Sequence, residues 1–212
     1  MIRLLLMAVG YLFGCIQFAY IAGKLTKHID IREHGSGNSG TSNAIRVLGF
    51  STGALVFIGD FLKALAACFV GFALAKWLAP NSYDIFELRL SLGMYAGLGA
   101  VLGHNFPVFL KFKGGKGIAS SLGVMAAIDL RIFLIAAGVL VIVILCTRFI
   151  SLASIIILAL FPVLTFVFRH GPEIGVIALF LAGMALVRHR ENIERLMSGT
   201  ESKLTFKKPD AS

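Results

Sequence analysis

Apolar runs of bilayer length constrain this chain more than any other feature. A helix needs roughly 20 apolar residues to cross a hydrocarbon core of about 30 Å. Leu4–Gly23 supplies such a run without one charged residue, starting almost at Met1 and lacking a small-residue cleavage site, so it reads as a retained span. Ser51–Trp77 is a second run, interrupted by Asp60 and Lys63, and Leu88–Gly103 a third, short and glycine-rich. Ile132–Thr147 and Phe149–Phe168 are separated only by Arg148, and Ile174–Val187 is flanked by arginines. Ile118–Ile128 is ambiguous: eleven residues give about 17 Å of helix, enough only if the helix extends back into Gly115–Gly117 or is re-entrant. The composition agrees: of 212 residues, 58% are hydrophobic and 15% charged, and the mean hydropathy is +0.88. Soluble domains run near 45–50% and 25%, so a soluble fold and a disordered chain are both excluded.

The basic residues fix the orientation. With seven spans and the N-terminus outside, fourteen of the twenty Lys and Arg fall in inner loops; Arg3, Lys76, Arg89, Arg131 and Arg169 fall outside, and Lys63 within a span. That asymmetry follows the positive-inside rule, whereas six spans would divide the basic segments between the two sides. The reading is an all-α integral membrane protein: a seven-transmembrane-helix bundle forming one polytopic domain over residues 1–212. The N-terminus is outside, residues 198–212 form a polar cytoplasmic tail, and cytoplasmic loops are glycine-rich. The net charge of +9 then reflects inner loops, anionic lipid or anionic substrates, not nucleic acid. Cys15, Cys68 and Cys146 lie in apolar runs and read as small buried hydrophobes. Asp60 and Lys63, at i and i+3, read as a mutually neutralising pair inside the bundle.

Three polar segments share the inner side. The first, Gly35-Ser-Gly-Asn-Ser-Gly-Thr-Ser-Asn-Ala-Ile-Arg46, matches G-x-G-x-x-G formally. A membrane helix precedes it instead of a strand, so it is not a dinucleotide fingerprint. Its glycines still let backbone N–H groups approach an anion, and a helix starting near Ser39–Ser42 would point its positive end there. Ser36, Gly37, Asn38, Asn43 and Arg46 are the candidates; the alternative is a flexible loop with a surface arginine. The second segment runs Gly103-His-Asn-Phe-Pro-Val-Phe-Leu-Lys-Phe-Lys-Gly-Gly-Lys-Gly117. It fails the triphosphate-loop pattern at Gly117, where Ser or Thr is required. Lys113, Gly114, Gly115 and Lys116 set two ammonium groups beside a backbone able to form an anion-binding nest, with Phe106, Pro107, Phe109 and Phe112 as interfacial anchors. The alternative makes Lys111 and Lys113 ordinary interfacial lysines. The third, Arg188-His-Arg-Glu-Asn-Ile-Glu-Arg-Leu196, continues the last span as an amphipathic helix with His189, Asn192 and Leu196 on one face. Its alternative is a plain basic juxtamembrane helix. Ser151 and Ser154 open a span nearby, either as helix-start hydroxyls or as lining of the same pocket. The sequence shows no metal-ligand spacing.

Together these segments resemble the bacterial acyl-phosphate-dependent glycerol-3-phosphate acyltransferase family of integral membrane enzymes. That family's pattern is Gly-Ser-Gly-Asn-x-Gly-x-Thr-Asn-x-x-Arg, then Gly-His-x-x-Pro-x-Phe-x-x-Phe-Lys-Gly-Gly-Lys-Gly, then His-Arg-x-Asn-Ile-x-Arg-Leu. The resemblance covers nearly the whole chain, including Asp60-Phe-Leu-Lys63 and Ser151-Leu-Ala-Ser154. Ser42 replaces the usual Thr and keeps the hydroxyl; Cys15 stands where a serine is common. The resemblance implies acyl transfer from fatty acyl phosphate to the 1-hydroxyl of glycerol 3-phosphate, releasing phosphate, without cofactor or metal. It also implies a bacterial inner-membrane location, contact with membrane lipid, and an active site facing the cytoplasm. His189, Asn192, Lys116 and Arg46 are then the catalytic candidates. Ser36, Gly37, Asn38, Asn43, His104, Lys113, Gly114, Gly115 and Ser154 are the binding ones. No His-x4-Asp pair exists, since Phe109 follows His104 and Glu194 follows His189 at that spacing. Proton transfer is therefore expected to be substrate-assisted, and His104 to shape its loop more than to act as base. The rival classes are a transporter of an anionic phosphate ester and a non-catalytic lipid-binding scaffold.

Overall fold

The computed structural model describes residues 1–78 and 85–204. Lys207 and Lys208, expected in the cytoplasmic tail, lie outside the described residues, as does the side chain of Lys76. The described chain is helical: α1 (Ile2–Gly14), α2 (Phe18–Lys27), α3 (Thr41–Leu48), α4 (Phe50–Leu78), α5 (Ile85–Asn105), α6 (Ile118–Ile128), α7 (Leu130–Thr147), α8 (Ile150–Val167), α9 (Pro172–Arg188) and α10 (Arg190–Met197). By length and apolarity, Ile2–Lys27, Phe50–Ala75, Leu130–Thr147 and Ile150–Val167 are each able to cross a membrane. α9 and α10 count as a fifth crossing if the pair, bent by 59°, is taken as one.

The helices are held by close backbone approach as much as by side chains. Gly10 and Gly14 on α1 face Gly99 and Gly103 on α5, a small-xxx-small spacing on both partners. A Cβ at Gly10 would lie 1.9 Å from the Ala96 carbonyl oxygen, and one at Gly99 would lie 2.0 Å from that of Met7. Beyond this seam the core is formed by Met94, Leu122, Met125, Ile157, Leu158, Phe161, Ile174 and Leu181. Eight of the eleven α6 residues are buried, whereas on α7 only Ile132 and Ala136 are. Leu4, Leu12, Leu145, Phe166 and Leu179 face outward, the all-round apolar exterior of a helix bundle in lipid. Cys15 and Cys68 are buried as expected, but Cys146 is exposed on this outer surface. The lipid-facing register of α7 decides that, and apolar composition alone could not.

Polar contacts define two ends. At one, Arg3 pairs with Glu173 at 2.7 Å, and Asp129 meets His170 at 3.0 Å. At the other lie the starts of α6 and α8 and the ends of α1, α5, α7 and α9. The eleven residues of α6, Ile118–Ile128, therefore link the Lys116 end to the Asp129 end. It does not extend back into Gly115–Gly117, because Gly117 adopts φ +81° and caps it.

Candidate active site

All three polar segments meet at the end opposite Arg3. The first is built around Asn43, on α3. Its Oδ1 accepts from the Ser36 N–H at 2.8 Å, and its Nδ2 donates to the carbonyls of Ile31 (3.1 Å) and His34 (3.0 Å). Asn43 is thus engaged in folding its own loop, and a Cβ at Gly35 (φ +63°) would collide with its Oδ1. Helix α3 begins at Thr41, where the sequence placed a helix start. Gly37 is left-handed at φ +71°, Asn38 is half-buried, and Ser36 and Arg46 are exposed. Arg46 has no ion-pair partner among the described residues.

Two side chains tie this segment to the second. Arg32 pairs with Asp30 (Nη2 to Oδ2, 2.6 Å) and donates from Nη1 to the Leu110 carbonyl at 3.0 Å. Hydrogen bonding from Arg32 holds the Asp30 carboxyl below the ordinary range. Gln17, buried at the break between α1 and α2, accepts from Ser39 Oγ at 3.1 Å and donates to the carbonyls of Gly14 and His104, both at 3.1 Å. Sequence reading passed over Gln17, although a lone amide in an otherwise apolar span is itself a signal, since membrane interiors disfavour unpaired polar groups.

The second segment folds back on α5. The Gly114 and Gly115 N–H groups donate to the carbonyls of Asn105 (3.2 Å) and His104 (3.0 Å). Here the anion-nest expectation is corrected: these N–H groups satisfy the C-terminal carbonyls of α5, the usual fate of such orphans. The glycines are needed for contact. A Cβ at Gly114 would sit 2.0 Å from the His104 carbonyl oxygen, and one at Gly115 would sit 2.1 Å from His104 Nε2. The His104 ring is buried, 3.0 Å from Lys63 Nζ through Nδ1, while Lys63 and Asp60 pair at 2.7 Å as expected. Phe109, Phe112 and Lys113 are exposed, whereas Pro107 is buried.

The third segment does not continue α9. The helix breaks at His189, whose N–H still bonds the Ala185 carbonyl at 2.9 Å, and α10 departs at 59°. His189 and Asn192 therefore do not share one continuous helical face; the bend itself brings both inward, and both are buried. The His189 Nδ1 lies 2.8 Å from the Ala185 carbonyl, which can only accept, so Nδ1 carries the proton and Nε2 is an acceptor. Burial, reinforced by the nearby Lys116 ammonium, pushes the imidazole down to about 4.

Lys116 joins the second and third segments: its Nζ donates to Asn192 Oδ1. Burial first, then Arg195, pushes Lys116 down to about 8. Arg188 adds a second link, Nη2 donating to the Gly115 carbonyl at 2.8 Å while the guanidinium covers the Phe106 ring. Glu201, unassigned by the sequence reading, accepts from Asn192 Nδ2, Ser151 Oγ and Arg195 Nε, each at 2.7 Å. Desolvation would raise its carboxyl, but these three donors outweigh that and lower it. Ser154 Oγ donates to the Ile150 carbonyl of its own helix at 2.7 Å, as a helix-start hydroxyl does. The result is a half-buried cup in which Lys116, Asn192, His189, Arg195 and Ser151 converge. Among the described residues no group of three His, Cys, Asp or Glu is placed to hold a metal ion.

Residues 4–199 match the family model described as glycerol-3-phosphate acyltransferase. A glycerol-3-phosphate acyltransferase of Thermoanaerobacter sp. (strain X514) is 45% identical over 92% of each chain. That of Alkaliphilus metalliredigens is 42% identical over 96% of this chain and 97% of its own. Among solved structures, PlsY, an integral membrane glycerol 3-phosphate acyltransferase, superposes in its glycerol 3-phosphate form with a TM-score of 0.83. It is 35% identical over 96% of each chain. Its lysophosphatidic acid form gives 0.81 over 96% and 95%. The apolar bundle, the linked cationic segments and these similarities lead to one conclusion: the chain belongs to the glycerol-3-phosphate acyltransferase family of integral membrane enzymes.

Proposed function

We propose that the protein transfers an acyl group from fatty acyl phosphate to the 1-hydroxyl of glycerol 3-phosphate, giving 1-acyl-glycerol 3-phosphate and inorganic phosphate. The observation that carries this reading is the direct bond between Lys116 and Asn192, beside neutral His189, at the mouth of an apolar bundle. Both substrates are phosphorylated, which calls for cations, and one carries a chain that must stay in lipid. PlsY has been captured with glycerol 3-phosphate and with lysophosphatidic acid, ligands that match an acceptor and a product of this reaction.

Lys116, Asn192, His189 and Arg46 bind and orient the phosphates, helped by Ser36, Gly37, Asn38 and Lys113. Asn43 shapes the first segment and Ser154 the wall. The acceptor hydroxyl oxygen attacks the acyl carbonyl carbon, the bond from that carbon to the phosphate oxygen breaks, and its electron pair leaves with phosphate. The hydroxyl proton passes to a substrate phosphate oxygen. An acyl phosphate is already activated, so positioning and stabilisation of the developing oxyanion supply the catalysis. The bundle reads as one polytopic domain with seven spans, α1 with α2 and then α4 to α9. Its N-terminus lies outside and the cup, with the polar tail, on the cytoplasmic face of the bacterial inner membrane. α6 supports that count, since it joins the two ends that α8 and α9 also join.

The test is purified protein in lipid vesicles, supplied with glycerol 3-phosphate and palmitoyl phosphate. Equal amounts of lysophosphatidate and phosphate should appear, undiminished by EDTA. Uptake of labelled glycerol 3-phosphate without acyl product would instead support the transporter reading. Single cysteines at Asn38, Lys113 and Glu191 should all label from the cytoplasmic side; labelling from opposite sides refutes the topology.

A further inference from the structure

About 15 Å along α4, an aspartate, a lysine and a histidine meet out of contact with solvent. Asp60, Lys63 and His104 are 1%, 4% and 3% exposed. Burying an ion pair in an apolar interior contributes little net stability, and replacing such a pair with apolar residues of similar volume is often neutral or stabilising. What the pair does supply is direction. Lys63 Nζ pairs with Asp60 Oδ1 at 2.7 Å, donates to the Ile16 carbonyl at 2.6 Å and lies 3.0 Å from His104 Nδ1. His104 Nδ1 also lies 3.3 Å from Asp60 Oδ1, so both members of the pair face the same ring nitrogen and hold the ring in one orientation.

That ring abuts the glycine segment. The three nearest heavy atoms to a Cβ built at Gly115 are all from it: Nε2 at 2.1 Å, Cε1 at 2.9 Å and Cδ2 at 3.0 Å. The His104 carbonyl also accepts the Gly115 N–H at 3.0 Å. One residue thus grips Gly115 by ring and backbone together, and the next residue along the chain is Lys116. Ser120 Oγ donates to the Asp60 carbonyl at 3.2 Å, joining the start of α6 to the same point.

We infer that Asp60, Lys63 and His104 are positioning residues: the buried pair orients the His104 ring, and the ring sets where Gly115, and through it Lys116, stands in the cup. The inference rests on the phosphate-binding role proposed for Lys116. Displacing the lysine removes an interaction with the bound phosphate, so KM for glycerol 3-phosphate rises while kcat changes little.

A double-mutant cycle tests this. His104→Ala and Gly115→Ala should each raise KM for glycerol 3-phosphate about 10-fold and change kcat by less than about 3-fold. The double variant should be no worse than the poorer single, because removing the ring removes the clash that the new Cβ creates. His104→Gln, whose amide can still bond to the Asp60–Lys63 pair, should recover most of the loss. Asp60→Asn with Lys63→Met removes both charges without leaving one unpaired. This variant should remain monodisperse and helical in detergent yet show the raised KM, giving a second cycle against Gly115→Ala should His104→Ala fail to fold. Multiplicative effects, a wild-type KM for the double-neutral variant, or a kcat loss of several orders with KM unchanged for His104→Ala would each overturn the inference. Failure of the unmodified protein to acylate glycerol 3-phosphate would instead strike the proposed reaction.

Discussion

Replacing Lys116 by arginine separates the need for a positive charge from the titration of the group that carries it. Lys116 lies about 8 because it is largely desolvated and close to Arg195. A lowered lysine is charged below that value and neutral above it. The ammonium is then about 90% populated at pH 7, half at pH 8 and about 10% at pH 9. Phosphate monoesters have a second pKa near 6 and remain dianions across this range. If the ammonium is what meets the dianion, kcat/KM for glycerol 3-phosphate should fall about tenfold between pH 7 and 9, with its midpoint near 8. The limb in kcat should lie higher, because bound phosphate favours the charged lysine. Lys116→Arg carries a guanidinium that keeps its proton throughout. Its different shape will lower activity overall, but the profile should stay flat to pH 9. The assay is product formation in vesicles, corrected at each pH for spontaneous hydrolysis of the acyl phosphate. Parallel decline of the two proteins, or a wild-type profile flat past pH 9, would refute the assignment.

His189, held near 4 by burial and by Lys116, is neutral at physiological pH, so its ring resonances in an NMR titration should not move between pH 5 and 7; a midpoint near 6.5 would contradict this. His189→Ala should retain substantial turnover at saturating substrate if a phosphate oxygen takes the proton, and a loss of several orders in kcat alone would rule substrate assistance out. At the α1–α5 seam, Gly10→Ala or Gly99→Ala should cost about 1–3 kcal/mol through overpacking, read as a lowered midpoint of thermal unfolding in detergent. Gly138→Ala and Gly183→Ala, where a Cβ meets nothing within 4 Å, should be neutral or slightly stabilising; equal effects at all four positions would refute the close-approach argument.

Much of this protein is legible from one dimension because a bilayer imposes strict rules. Backbone polar groups in hydrocarbon must be satisfied within a segment, so the charge-free run at Leu4–Gly23 and the apolar runs of α7 and α8 state their structure outright. The Asp60–Lys63 pair follows from i, i+3 spacing for the same reason. Lys116 was identifiable because a cation set among glycines demands a ligand or partner, and His189 and Asn192 because they are polar residues at the end of an apolar span. Spacing alone did not indicate which partners they take. Glu201 lies nine residues beyond Asn192 and fifty beyond Ser151, and it is the bend at His189 and the return of the tail over α8 that bring the three together.

Local pattern likewise suggested the wrong use for Gly114 and Gly115. A glycine pair beside lysines can serve an anion or serve packing, and the choice depends on what lies within about 3 Å in space. Here that is the end of α5, whose carbonyls take the two N–H groups and whose histidine ring leaves no room for a Cβ. By itself, then, the sequence determined an all-helical membrane chain and the chemistry gathered in its three polar segments, because hydropathy and residue type act locally. The tertiary structure decided the α1–α5 glycine seam, the outward face of Cys146, the break at His189 and the partners inside the cup, because each depends on contacts between residues far apart in the chain.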